Sequence, residues 1–524
     1  MKWQHSILAV VVSCLVLTHA VAAQDATWQA RQEHPFELHR FTLENGLRVW
    51  CQPRPDSKSV VVFLVVRIGV RNEEKANNGI SHYLEHMLFT GTERWDEDEI
   101  KEIITKRGGH WNGWTGTERT MYFAEMAAQD FDIAMDWVSE IVFHSTFPEE
   151  KIEKERNVVF QEYWGKYGWF YNTFRRVFVS LGLGYNLGRT VERFVYPDSS
   201  LTLGYEWADE ALDKIDREAL LAYYHTYYVP NNATLLIVGN VTPEQALETT
   251  QHYFGSLEKG ESPKIPEMPE VPDDGPYHAI IRGPEATYQC RLRMGTRTVG
   301  PTHPDRWTLD VLSEMLRTSL YKEIRHKRGL VYAIWAYNHM YSDVGRFEIG
   351  TRSEGDKREL IQHIVEEHLE KIRQGEIDPQ KVAEAKTALK GRWALNMEKN
   401  FGRVQWLNGW VLSLADDEPV PDYEANIDAV TPEDLTRVLK TYFVPERSYV
   451  VMHLPILTVY RGAWIAGGML VLIGLGILYH RRQKKRKRRY HEILNKYKQQ
   501  DVPEYWPWLR GVHSQRVTAP ETIP

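Results

Sequence analysis

The chain has 524 residues, 43% of them hydrophobic and 12% aromatic, with a formal net charge of −7. That length and composition suit two or three globular domains and exclude a disordered chain. The charge is uneven: the 45 residues after Tyr479 carry 12 basic and 4 acidic side chains, whereas residues 24–479 carry a net −16. An acidic body argues against nucleic acid as its main partner.

At the N-terminus, Lys2 precedes an apolar run over residues 7–17, and Ala20, Ala22 and Ala23 precede polar Gln24 and Asp25. This reads as an export signal, residues 1–23, cleaved near residue 23. A lipoprotein signal ending at Cys14 is the rival reading, disfavoured because the apolar run continues through Leu15, Val16 and Leu17. Cleavage leaves only Cys51 and Cys290, which are expected as unpaired buried thiols; their spacing alone does not decide whether they pair. From Phe41 the chain reads as a turn at Asn45-Gly46 followed by an alternating strand through Cys51. Residues 60–70 are β-branched and apolar and predict a central strand.

Gly79 opens the stretch Gly-Ile-Ser-His82-Tyr-Leu-Glu85-His86-Met-Leu-Phe89-Thr-Gly91. On a helix, His82, Glu85 and His86 share one face, while Leu84, Met87 and Leu88 offer apolar positions for packing. Imidazole and carboxylate on one face suit a zinc ion that keeps a coordination position for water, with a glutamate beside it to take a proton. The same face would also suit a buried helix meeting other polar groups.

Next come a helix over 96–107, a turn and edge strand over 108–115, and a strand over 120–126. Residues 130–145 and 149–170 are helical in period. Glu155 and Glu162 lie seven apart and so share a face, which on spacing alone is equally a solvated surface. The aromatic passage from Tyr163 to Tyr205 suggests no pocket and reads as core. The segment from Leu212 to Pro230 recurs from Ile427 to Pro445 at an offset of 215 with no gap, and each copy runs into a β-rich stretch. The chain therefore contains two homologous halves, separated by a proline-rich, semi-stiff linker over 259–276. In the second half, Arg325 precedes Tyr332 by seven; alone, they read equally as a surface arginine and a packed strand tyrosine. Residues 463–479 carry no charge and form the predicted transmembrane helix, with the run of Arg and Lys from 481 to 489 after it. Those charges place the tail, 480–524, in the cytoplasm and the body outside it.

The order His-x-x-Glu-His resembles the inverted zinc signature of the pitrilysin, insulinase and mitochondrial processing peptidase family, with likeness over about residues 37–455. Gly108-Gly109-x-x-Asn112-x-x-Thr115 is similar to the family's edge-strand pattern, and Glu155-Arg-x-Val-Val159 to the segment that leads to its third ligand. The resemblance implies that His82, His86 and Glu162 bind one Zn2+ per chain, with Glu155 behind the ligands and Glu85 as general base. It further implies that Asn112, Gly113 and Trp114 bind the substrate backbone as an added strand. Arg325 and Tyr332 match a pair that holds the substrate carbonyl.

The expected fold is α+β: two homologous α/β-sandwich halves, 35–258 and 277–456, with a signal peptide and one C-terminal transmembrane helix. The expected function is a zinc metalloendopeptidase that cleaves unfolded peptides or small proteins inside a chamber. Short family members complete that chamber with a second subunit, so a homodimer is expected; a heterodimer with a related subunit is the variant that sequence does not separate. The expected setting is a bacterial inner membrane facing the periplasm, with no nucleic-acid partner. A non-catalytic scaffold subunit, or a membrane-tethered peptide receptor, are the alternatives.

Overall fold

The apolar run expected over 60–70 forms the centre of the first sheet in a computed structural model, which describes residues 37–164, 187–204, 208–264, 266–269, 271, 273–283, 289–455 and 459–498. The expected signal, residues 165–186 and 205–207 of the aromatic passage, and residues 499–524 of the tail lie outside the described residues. The first sheet comprises β1 (His39–Thr42), β2 (Arg48–Pro53), β3 (Ser59–Val66), β4 (His110–Thr115), β5 (Thr120–Ala127) and β6 (Ala233–Gly239), in the order β1-β2-β6-β3-β5-β4. Seven of the eight residues of β3 are buried, because both faces of the sheet are covered. That is why its sequence lacks polar alternation.

The strand is shorter than expected and stops at Val66. Beyond it the backbone leaves β5 and bonds the turn that follows β4, with Val70 N donating to Gly116 O and Arg71 N to Thr117 O at 2.7 Å. β-Branched composition cannot register that change of partner.

Four helices pack on one face of this sheet: α1 (Ile80–Met87), α2 (Glu97–Thr105), α3 (Phe131–Phe143) and α4 (Glu149–Trp164). They cover Val60, Val62, Leu64 and Val66. Helix α5 (Leu187–Val195) follows in sequence but packs with Tyr449 and Val451 of the second half, whereas α6 (Arg217–Tyr227) and α7 (Pro243–Phe254) pack with the first. The opposite face, with Val61, Phe63 and Val65, packs into a core shared with the second half.

The second sheet comprises β7 (Tyr277–Gly283), β8 (Gln289–Val299), β9 (Val331–Met340), β10 (Val344–Glu354) and β11 (Ser448–Pro455), in the order β7-β11-β8-β10-β9. Its pairing senses repeat those of β2-β6-β3-β5-β4: one parallel pair followed by three antiparallel ones. Helices α8 (Asp305–Leu320), α9 (Arg358–Arg373), α10 (Pro379–Met397), α11 (Asn400–Asn408), α12 (Tyr423–Ala429) and α13 (Pro432–Tyr442) belong to this half. Helices α6 and α13, and the first residues of β6 and β11, are related by the same offset of 215 found in the sequence. The two halves are thus copies of one mixed α/β unit.

The halves are joined closely. Phe401 of α11 sits 4.9 Å from Phe123 and 6.3 Å from Phe63, ring to ring. Asn400 Nδ2 donates to Ser57 and Ser59 at 2.9 Å. Arg71, 2% exposed, binds Asp343 and Glu118 at 2.5 Å each and donates to Pro266 O at 3.0 Å. The stretch joining the halves is therefore tied down at Pro266. Cys51 and Cys290 are buried and free.

Residues Val459–Lys498 form one helix, α14, a unit separate from the body. Its segment Ala463–Lys496 contains a stretch with mean hydropathy 1.7, apolar enough to cross a membrane, and none of that stretch is buried. The expected span lies inside this helix, and the basic run follows it without a break.

Candidate metal centre

Helix α1 begins at Gly79, whose φ of 93° lies in the left-handed region that glycine tolerates best. Glycine has no side chain with which to cap, and buried Glu73 does it instead. Its carboxylate accepts from Gly79 N at 2.8 Å, Ser81 N at 3.0 Å and Asn78 Nδ2 at 2.9 Å. An anion is favoured at a helix N-terminus, where backbone N–H groups lack partners. Leu84, Met87 and Leu88 are wholly buried beneath the helix, worth about 1.5–3 kcal/mol for each such side chain. Tyr83 Oη donates to Ile152 O at 2.6 Å and so fixes α1 against α4.

That packing brings three donors together. His82 Nε2 lies 3.3 Å, and His86 Nε2 3.5 Å, from Glu162 Oε2. Among the described residues, His82, His86 and Glu162 form a cluster whose ligand atoms all lie within 4.8 Å of one another. Three donors at about 2.1 Å from one tetrahedral centre would sit roughly 3.4 Å apart, so the set fits zinc. The far side of each imidazole is also held: His82 Nδ1 is 2.8 Å from Tyr163 Oη, and His86 Nδ1 is 3.3 Å from Glu155 Oε2. A proton on each Nδ1, donated to those oxygens, leaves the Nε2 lone pairs facing the cluster.

The electrostatics separate the roles. Burial, then the neighbouring His86, pushes His82 down to about 4, so its imidazole is neutral at neutral pH. Burial opposes charge on His86, but the hydrogen bond to Glu155 and the carboxylates of Glu85 and Glu162 outweigh it and raise its pKa. Burial likewise opposes charge on Glu155, which the His86 contact outweighs, so Glu155 stays below the usual carboxylate range. Glu85 stands apart from the donor cluster and is 7% exposed. Burial lifts its pKa, although Thr115 Oγ1 donates to Glu85 Oε2 at 2.8 Å and works the other way. A buried carboxylate with a raised pKa is poised to accept and return a proton.

These groups line a cleft of about 380 Å³ together with Phe89, Lys101, Trp111 and β4. Among the described residues β4 pairs only with β5, so its outer edge is open beside the donors. Gly113 lets this strand approach Phe89, two residues past the end of α1, since a Cβ there would lie 2.9 Å from Phe89 Cζ. Asn112 is exposed and Gly113 buried. Trp114 also lines the cleft, while its ring packs 5.4 Å from Phe63 against the core shared by the halves, so its backbone is what the open edge can offer.

Arg325 and Tyr332 are placed together, with the guanidinium carbon 5.5 Å from the ring centre. They do not line the cleft. Tyr332 is 82% exposed on β9, the edge strand of the second sheet. Three supporting residues escaped sequence reasoning: Glu73, Thr115 and Tyr163. Thr115 ends the pattern begun at Gly108, and Tyr163 adjoins Glu162, but neither adjacency discloses a contact across the fold.

Residues 48–165 match the family described as insulinase (peptidase family M16), and residues 214–389 match the peptidase M16 inactive domain. An uncharacterized zinc protease of Bacillus subtilis, YmxG, is 26% identical over 416 residues, which cover 78% of this chain and 96% of its own. The β subunit of the mitochondrial-processing peptidase of Mus musculus is 25% identical over 412 residues, covering 76% and 81%. Among solved structures, a protease from Helicobacter pylori shares the fold with a TM-score of 0.71 at 24% identity, over 80% of this chain and all of its own.

Proposed function

The chain belongs to the peptidase M16 family, and on that premise we propose that it is a zinc-dependent endopeptidase acting on unfolded peptides or small proteins. The observation that carries this reading is the convergence of His82 Nε2, His86 Nε2 and Glu162 Oε2, with buried Glu85 beside them and an open strand edge alongside. His82, His86 and Glu162 would hold the ion. Bound zinc would supply Lewis acidity, making a water acidic and the scissile carbonyl electrophilic.

The chain's own groups do the rest. The open edge of β4 around Asn112 and Gly113 takes the peptide as an added strand through main-chain hydrogen bonds, so an extended segment is bound and a folded surface is not. Glu85 Oε1 or Oε2 takes a proton from the attacking water and returns it to the leaving amine nitrogen. Thr115 keeps that carboxylate from rotating away, and Tyr163 and Glu155 hold the two imidazoles. Arg325 and Tyr332 act on the substrate carbonyl from a second copy of the chain. The exposure of Tyr332 on the edge strand β9, with Arg325 beside its ring and neither residue in the cleft of their own chain, supports a homodimer in which each active site combines two subunits. Helix α14 anchors the protein as a single span, with the peptidase halves outside the cytoplasm and the basic tail inside it.

The test compares the full-length protein with Glu85→Gln for zinc content and hydrolysis of a quenched peptide. The wild type is expected to hold about one zinc per chain and to cleave, and the variant to keep the metal but lose at least about 100-fold in kcat. A wild type without zinc, or no faster than the variant, would sink the proposal in favour of a scaffold role.

A further inference from the structure

Beyond the apolar span, α14 continues through residues 481–496 as exposed helix. Tyr490, Ile493 and Leu494 are 63%, 50% and 39% exposed, large apolar side chains in a strongly polar segment. At roughly 100° per residue they fall within one arc about 100° wide, and Tyr479 and Gln483 point the same way. Gln483 Nε2 donates to Tyr479 Oη at 3.0 Å along that line. Residues 481–496 contain nine Lys and Arg against one acid, Glu492, and all the cations except Arg486 lie outside the apolar arc. The segment is a basic amphipathic helix, not merely a charged run.

Two partners suit such a stripe: a second copy, or an anionic surface. Pairing two copies along the stripe would set nine cations beside nine and put Arg486 into the seam, so like charges oppose it. An anionic bilayer answers both features at once: its headgroups neutralise the cations, and the boundary beneath them takes the aromatic and aliphatic stripe. Tyr479 ends the apolar span and shares the stripe's direction. A bend of the helix beyond Gln483 toward that side would therefore lay the stripe onto the same membrane.

We propose that residues 481–496 are a docking surface for an anionic lipid bilayer, which turns the tail from a projecting rod into a helix lying on the membrane that anchors the chain. This rests on the anchor reading above. The test places the full-length protein in nanodiscs of phosphatidylcholine alone and of equal phosphatidylcholine and phosphatidylglycerol, and follows amide hydrogen exchange over residues 484–496. Exchange should be about tenfold slower in the anionic discs and recover in salt of about 0.5 M. The double variant Ile493→Glu with Leu494→Glu should still enter the discs but show no difference between them. Equal exchange of the wild type in both discs would overturn the proposal while leaving the anchor standing. So would protection that ignores lipid charge and grows with copies per disc, or that appears only with added RNA. A chain that enters neither disc overturns the anchor reading, and the proposal with it.

Discussion

Thr115 Oγ1 and Glu85 Oε2 stand 2.8 Å apart, the first at the end of an edge strand and the second on the helix that carries the histidines. The bond couples the strand that would receive a peptide to the carboxylate that would act on it. Thr115→Val should lower kcat by about 10–100-fold with zinc retained, the loss of one hydrogen bond to a charged group, and Thr115→Ser should restore most of it. Parallel measurement of kcat, KM and bound zinc decides. A valine variant with full kcat would remove Thr115 from the mechanism.

Glu73 contributes through the helix rather than through substrate. With its carboxylate gone, the N–H groups of Gly79 and Ser81 lose their acceptor inside the fold. Glu73→Ala should cost about 2–3 kcal/mol in stability and weaken zinc retention, with Glu73→Gln intermediate. Thermal unfolding with and without chelator measures both, and an unchanged Tm in the alanine variant would contradict the capping role.

Arg71 holds the halves together at one buried point. Removing it leaves Glu118, whose side chain is 7% exposed, without its cation. Arg71→Ala should destabilise the body by about 3–5 kcal/mol and expose the stretch around Pro266 to protease. Denaturant titration together with limited proteolysis reports on each effect.

Stability should fall in acid partly through Glu97. Burial works against its charge, but Lys101, Lys151 and Lys154 outweigh it and lower its pKa from the usual 4.5 to about 2. Because the folded value is the lower one, this contribution is complete above pH 4.5 and is lost as pH falls from there toward 2. The stability gap between wild type and Glu97→Gln should therefore narrow through that window. A gap that stays constant from neutral pH down to pH 2.5, about two units below the usual value, would exclude this origin.

The shared-site dimer predicts rescue by mixing. Glu85→Gln and Tyr332→Phe are each expected to be nearly inactive as homodimers. Refolded together at equal amounts, they should recover about a quarter of wild-type activity, since half the dimers are mixed and each mixed dimer contains one intact site. No recovery, with mixed dimers verified by tagged pull-down, would place both functions within one chain or remove Tyr332 from the site.

Much of this protein could be read from its sequence because the relevant signals are local. His82, Glu85 and His86 lie within two turns of one helix, so periodicity alone puts them on one face. The duplication is written as self-similarity at a fixed offset, and the apolar span with its basic flank is a matter of composition. What sequence could not decide depends on contacts between distant segments. Spacing alone does not distinguish Glu162 from the other glutamates of α4; the packing of α4 on α1, secured by Tyr83, is what brings it to the two imidazoles. The capping by Glu73, the hold of Thr115 on Glu85 and of Tyr163 on His82, and the early end of β3 arise in the same way. So does the separation of Arg325 and Tyr332 from the cleft. A helix face follows from the regular turn of the backbone, whereas a hydrogen bond between two elements exists only once burial of their apolar sides has set the distance between them.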